Sequence, residues 1–280
     1  MVNENNIRIR ILKNKLLYIL VCVFSGLTAI PLLAILGEVL IKGWRQLGWS
    51  FFTEATPNAY KAMMATAAGE AIPGGIANGI VGTFLMLFMA AVVAIPVGIF
   101  CGICLSEYRK NWFAVIVSYL TDLLQGTPSI IIGIITYIWV VVPMKGYSAF
   151  AGSVALFIMM LPLIIRSTEE TMKVLPETLK EAGLALGGSY WRVMLQVMLP
   201  SALGSIFTGI LLAISRVVGE TAPLMFTALG GAAISWNVSR PMSAVPLLIW
   251  EFFNDPNLQS LIWGASLFPV DFCIVPEFIS

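Results

Sequence analysis

The segment TEETMKVLPETLKEAGLALGGSYWRVMLQVMLP, residues 168–200, gathers charged residues between two apolar runs. Pro176 suits the first turn of a helix, where its missing N–H costs nothing, and Glu177 beside it favours the positive end of the helix dipole. A helix from about 177 then reaches Gly187-Gly188, a natural C-terminal stop. Ser189 is placed to cap a second helix running toward Pro200. Gly183 and Gly187 are four apart and so fall on one helix face, where the lack of side chains permits close approach to another surface. Glu181 lies about one turn from the helix start, where its charge is favourable.

Outside this segment the chain is unusually apolar. Of 280 residues, 59% are hydrophobic and 11% are charged. Ordinary soluble proteins are roughly 45–50% apolar, glycine included, and about 25% charged. So few charges cannot cover a soluble surface, and the composition is that of an integral membrane protein. A net charge of +1 argues against a tail-driven nucleic-acid binder. With no histidine, His triads and H-E-x-x-H zinc sites are excluded. No Gly-Lys dipeptide occurs, so the chain has no P-loop of its own with which to use ATP. Cys101 and Cys104 form a C-x-x-C, but they end an apolar run and have no second pair, which reads as small buried residues rather than a metal site.

A spanning helix needs about 20 mostly apolar residues. Six candidates follow: about 16–41, 78–104, 128–143, 151–166, 203–225 and 258–280. The first is too long for a signal-peptide core and reads as an uncleaved anchor. Ten basic residues fall on one side of this arrangement (Arg8, Arg10, Lys13, Lys15, Arg109, Lys110, Arg166, Lys173, Lys180 and Arg192). Five fall on the other (Lys42, Arg45, Lys61, Lys145 and Arg240). The positive-inside rule then places the N-terminus, residues 1–15, and the segment 167–200 in the cytoplasm.

Between the spans, Trp44, Trp49, Phe51 and Phe52 suit a membrane-water interface within the outer loop 43–75. Residues 112–125 read as an amphipathic helix that either lies along the membrane or begins the third span. The outer segment 226–257 carries Gly230-Gly231, Pro241, Pro246 and an apolar-aromatic run from Leu247 to Phe253, and is expected to dip back into the protein. Gly98 and Gly102 allow close helix approach, and Pro96 can bend the second span. Glu38 reads as interfacial.

The fifth span carries Arg216 and Glu220, expected four residues apart on one helix face. A charge at mid-membrane costs roughly 2.5–3.5 kcal/mol by insertion scales and usually marks an ion or substrate path. Pro223 removes the hydrogen bond to the Gly219 carbonyl and is expected to bend the helix there. The bland alternative is an ion pair that only fixes packing.

Two resemblances follow from these residues. Glu181-Ala182-Gly183, three residues, Gly187, nine residues, Val197, one residue and Leu199-Pro200 resembles the EAA loop of ABC-importer membrane subunits, with Gly for the third residue and Val for Ile as mild departures. The segment Arg216 to Leu224 with Phe226-Thr227-Ala228, together with Gly126 to Ile130 and Gly79 to Thr83, is similar to the phosphate ABC-importer permeases of the PstA type. The likeness covers about 75–260. It implies an all-α integral membrane fold, a type I ABC-importer permease with six spans and a cytoplasmic coupling helix in the loop 177–200. It implies passage of inorganic phosphate across the inner membrane, with Arg216 and Glu220 on the translocation path. Glu181, Ala182, Gly183, Gly187, Val197, Leu199 and Pro200 would couple to the ATPase. Implied partners are a second permease subunit of the PstC type, an ATPase dimer that hydrolyses the ATP, and a periplasmic phosphate-binding protein. No catalytic residue, metal or cofactor is implied in this chain.

An oxyanion in a low-dielectric path needs a positive partner, and arginine offers bidentate donors matched to phosphate. Those properties do not separate phosphate from sulfate or molybdate. A secondary transporter would show inverted repeats and broken helices in both halves, and no internal repeat is present. A membrane sensor or scaffold has no need of Arg216. Past about Ala265 the likeness fades, because Pro269, Asp271, Pro276 and Glu277 interrupt the last run. That ending reads as a truncated or frame-shifted C-terminus, the alternative being a natural variant whose final helix ends early and packs against a partner.

Overall fold

A computed structural model of the chain describes residues 4–44, 46–68 and 72–279, with side chains described from residue 10 to residue 270 apart from Thr66. Among the described residues the regular structure is helical, with one isolated bridge between Leu229 and Met242. We label the helices α1 (Glu4–Trp44), α2 (Trp49–Thr53), α3 (Ala59–Ala68), α4 (Ala77–Glu107), α5 (Trp112–Gly126) and α6 (Ser129–Met144). They continue with α7 (Ala149–Val174), α8 (Glu177–Ala185), α9 (Tyr190–Val218), α10 (Ala222–Thr227), α11 (Val245–Asn254) and α12 (Leu261–Ile279).

Among the described residues, four helices are individually long and apolar enough to cross a membrane: α1 from Arg10, α4, α7 and α9. The pair α5 and α6 also passes that test together, but it is bent by 107°. Pro128 explains the bend, because its ring drives Thr127 out of the helical region to φ −75° and ψ 130°. The stretch at 112–126 is therefore a separate helix, started by Asn111, whose side chain accepts from the Phe113 amide at 3.2 Å. The last helix is one run of 19 residues from Leu261 to Ile279. At 1.5 Å per residue it is about 28 Å long, close to a bilayer core of about 30 Å. The reading of residues 266–280 as aberrant falls, from residue 271 onward, on side chains outside those described.

The core centres on α7, which packs most extensively on α4 and next on α9. Glycine makes this possible. A Cβ at Gly98 would lie 2.6 Å from the Ile164 side chain, and one at Gly102 would lie 2.7 Å from the Ile165 carbonyl. The small-residue spacing read from the sequence is thus a true helix contact. Gly98→Leu should force α4 off α7, and the expected result is loss of the mature subunit from membranes, checked by quantitative immunoblotting. Normal abundance would show that this contact is dispensable.

At one end of the bundle the end of α1, the start of α4 and the loop before α11 gather. Gly43 sits against Trp263 and Leu267, and Asn78 accepts from Thr56 and donates to the Gly231 carbonyl at 2.9 Å. The Val245 amide donates to Thr83 Oγ1 at 2.9 Å, and a Cβ at Gly82 would meet the Ser243 carbonyl at 1.9 Å. The segment 226–257 does dip back into the protein. Phe51, expected at the interface, is only 3% exposed and packs in a second core with Ile76, Val245, Leu248 and Phe252. Trp44, Trp49 and Phe52 are exposed as expected. The other end holds the ends of α4 and α7 and all of α8.

Three span ends differ from the sequence reading. α7 runs to Val174, so Arg166 and residues 167–174 are helix and not loop. α9 begins at Tyr190 and passes through Pro200, because the turn Met194–Met198 widens to a π pattern in which the Leu199 amide reaches Met194. α9 then stops at Val218, where a continuous helix to 225 was expected.

Candidate functional site

Two places concentrate the residues singled out from sequence. The first is the hairpin of α8 and the start of α9. α8 ends in a Schellman motif: the Gly188 amide donates to the Gly183 carbonyl at 3.3 Å and the Gly187 amide to the Leu184 carbonyl at 3.0 Å. Gly187 has φ +82°, which glycine adopts without a Cβ penalty. Gly187 therefore lies past the helix, and it does not share a helix face with Gly183. Gly183 instead faces inward, where a Cβ would lie 2.7 Å from Val193 Cγ1. Ser189 has extended backbone at the N-cap position, but its side chain makes no capping bond.

The outer face of α8 is Thr178, Glu181, Ala182 and Ala185, all exposed and at spacings of three and four. Its inner face is Leu179, Lys180 and Gly183, all half-buried. Val197 and Leu199 pack against the main core, and Pro200 is exposed in the first turns after the π segment. The hairpin is braced to the bundle by Glu107, the last residue of α4. Its Oε2 accepts from Lys180 Nζ and, at 2.5 Å, from the Tyr190 hydroxyl. Lys180 Nζ also stands 4.9 Å over the Tyr190 ring. A cavity of about 570 Å³ opens beside this cluster, lined by Arg109, Lys110, Lys173, Glu177 and Glu181 among others.

The second place is the break between α9 and α10. Arg216 sits in the last turn of α9 and is exposed, where the negative end of the helix dipole favours its charge. Gly219 caps the helix, the Glu220 amide donates to the Val217 carbonyl at 3.2 Å, and Pro223 starts α10. Pro223 cannot donate to residue 219 and its ring crowds that carbonyl, which ends the helix rather than bending it. Arg216 and Glu220 are therefore not on one helix face, and among the described residues they form no ion pair.

A charged network was not singled out from the sequence. Arg166 donates to Asp122 at 3.0 Å, to Glu169 at 2.6 Å, and to the Ser118 carbonyl and hydroxyl at 3.0 and 2.8 Å. Lys173 also donates to Glu169, which is only 5% exposed. The spacing of Arg166, Glu169 and Lys173 on one helix was the available signal. The network ties α5 to α7. Arg166→Met should destabilise the subunit by about 3 kcal/mol, since it leaves Glu169 buried with one partner fewer. Adding Glu169→Gln should recover part of the loss in thermal unfolding of the purified complex. An unchanged midpoint for Arg166→Met would show that the network adds no stability. Cys101 and Cys104 are half-buried free thiols.

Residues 94–249 match the family described as binding-protein-dependent transport system inner membrane component. The chain belongs to that family. Within it, the Phosphate transport system permease protein PstA of Yersinia pestis is 38% identical over 247 residues, 87% of this chain and 80% of that protein. PstA of Pasteurella multocida is 37% identical over 264 residues, 92% of this chain and 90% of that protein. PstA 1 of Mycobacterium tuberculosis (strain ATCC 25618 / H37Rv) is 32% identical over 242 residues, 85% of this chain and 76% of that protein. Among solved structures, the inward-facing MetNI methionine ABC transporter aligns with a TM-score of 0.58 at 18% identity, covering 72% of this chain and 89% of that one. An amino acid ABC transporter crystallised with histidines aligns at 0.53 and 15% identity, covering 80% and 98%. These structural likenesses carry the fold: the chain has the type I ABC-importer permease architecture. This transport-system membrane component is a multi-pass transport subunit.

Proposed function

We propose that the chain is the membrane-spanning permease subunit of an ATP-driven importer that passes inorganic phosphate into the cytoplasm. The observation that carries this reading is the hairpin 177–200, a short helix with a fully exposed outer face, closed by a positive-φ glycine and standing off one end of the bundle. Such a projecting helix has a mechanical use where a second protein docks on it. The phosphate assignment draws on the PstA relatives and on Arg216, an exposed guanidinium at a helix break. The second permease subunit is of the PstC type, an ATPase dimer hydrolyses the ATP, and a periplasmic phosphate-binding protein delivers the anion. The hairpin, and with it the N-terminus, face the cytoplasm, in keeping with the ten-to-five bias of basic residues.

In this reading Glu181 and Ala182 contact the ATPase directly from the outer face, while Gly183, Gly187, Val197, Leu199 and Pro200 shape the hairpin that presents them. Arg216 lies on the translocation path, and Glu220 acts across the helix break rather than along a helix face. The test is radiolabelled phosphate uptake in a strain lacking this subunit. Restored uptake on re-expression supports the assignment. Uptake of sulfate or molybdate but not phosphate would reassign the substrate, and no uptake of any of the three would overturn it.

A further inference from the structure

Glu107 joins three separate elements at the hairpin end. It closes α4, Lys180 belongs to α8, and Tyr190 opens α9. Both donors converge on a single oxygen, Oε2. Apolar contacts there, through Leu179 and Val197, can slide by fractions of an ångström with little penalty. Charge-assisted hydrogen bonds cannot, because their strength depends on short distance and alignment. α4 in turn is seated on α7 without side-chain slack at Gly98 and Gly102. A push on the outer face of α8 therefore reaches the core pair α4 and α7 through this stiff polar link, beside the close Gly183–Val193 contact that leads into α9. Of the other cations nearby, Lys173 is paired with Glu169, and Arg109, whose Nε donates to the Ser106 carbonyl at 2.9 Å, adds its positive charge beside Glu107 without a direct contact to it.

We propose that Glu107 is a positioning residue that transmits movement of the coupling helix to α4, through Lys180 and Tyr190. The inference rests on the reading of 177–200 as the ATPase-docking hairpin. Glu107 touches neither the anion nor the ATPase. Removing its charge leaves docking intact and weakens what docking achieves.

The experiment uses the whole importer reconstituted in nanodiscs, with variants Glu107→Gln, Lys180→Met and the double variant. In each single variant the ATPase should still co-purify and hydrolyse ATP at the basal rate. Stimulation of hydrolysis by the loaded binding protein, and phosphate uptake in proteoliposomes, should fall together by about tenfold, the scale set by losing a charged hydrogen bond. The double variant should be no worse than either single, because both break the same link. Full stimulation in Glu107→Gln overturns the proposal. So does loss of ATPase binding, which would make the cluster a folding element, and so do losses that multiply in the double variant. Spin labels at Thr178 and Lys110, both exposed, read the brace without reference to transport. The distance distribution should broaden in Glu107→Gln, and an unchanged one overturns the brace. If the wild-type complex moves no phosphate while Glu107→Gln still broadens the distribution, the functional reading is refuted and the brace stands.

Discussion

Replacing Arg216 with glutamine is expected to lower phosphate uptake by about a hundredfold while the subunit still reaches the membrane and retains its ATPase. That factor corresponds to about 2.7 kcal/mol, within the range of a charge-assisted bidentate contact. Arg216 is exposed in the last turn of α9 and makes no ion pair among the described residues, so its removal leaves no buried charge stranded. Packing should hold for that reason, and the loss should fall on transport alone. Arg216→Lys separates charge from geometry. Lysine keeps the cation but not the planar fork, and an intermediate rate is expected. Exchanging Arg216 with Glu220 is a harsher test. It moves the cation from a helix end, where the dipole favours it, to a non-helical break beyond Gly219. The exchanged protein should not transport. Normal uptake by the exchanged protein or by Arg216→Gln would remove Arg216 from the path.

The spans and the hairpin were legible in the sequence for different reasons. Long apolar runs announce membrane helices by composition alone, and α4 at Ala77–Glu107 falls close to the expected 78–104. The hairpin is written in punctuation, with Pro176 at the N-cap of α8 and Gly187 at its left-handed end. What escaped depends on partners far along the chain. Phe51 is an interfacial aromatic by composition, and only its meeting with Val245 and Phe252 buries it. Glu107 is an unremarked helix-end acid until Lys180 and Tyr190, 73 and 83 residues later, fold back onto it. Arg166 counted as a loop charge because apolarity falls off there, although the helix does not. The pairing of Arg216 with Glu220 failed on local grounds. Gly219 and Pro223 together end a helix that an unbroken spacing rule carries through, so the same two residues point to the site and undo its expected geometry.

The hairpin separates two glycines that look alike in the sequence, and this separation makes the last prediction sharp. Gly183→Leu should abolish ATPase co-purification and uptake together, leaving the protein inserted in the membrane. A Cβ there already lies 2.7 Å from Val193 Cγ1 and 3.0 Å from Cγ2, so a larger side chain must pry α8 from the start of α9. The milder Gly183→Ala should lose part of the association, and Val193→Ala in the same chain should restore it by clearing both methyl groups. Gly187 answers to backbone conformation instead. No atom lies within 4 Å of a Cβ there, but its φ of +82° is costly for most residues, by roughly 1–2 kcal/mol. Gly187→Asn should be tolerated, because asparagine visits the left-handed region, whereas Gly187→Val should be as damaging as a steric block. Gly187→Trp adds bulk on the side an ATPase would approach and should abolish both association and uptake. If Gly187→Asn is as defective as Gly187→Trp, the glycine is needed for close approach of the partner. If Val193→Ala fails to rescue Gly183→Ala, the inner face of α8 is not what Gly183 serves.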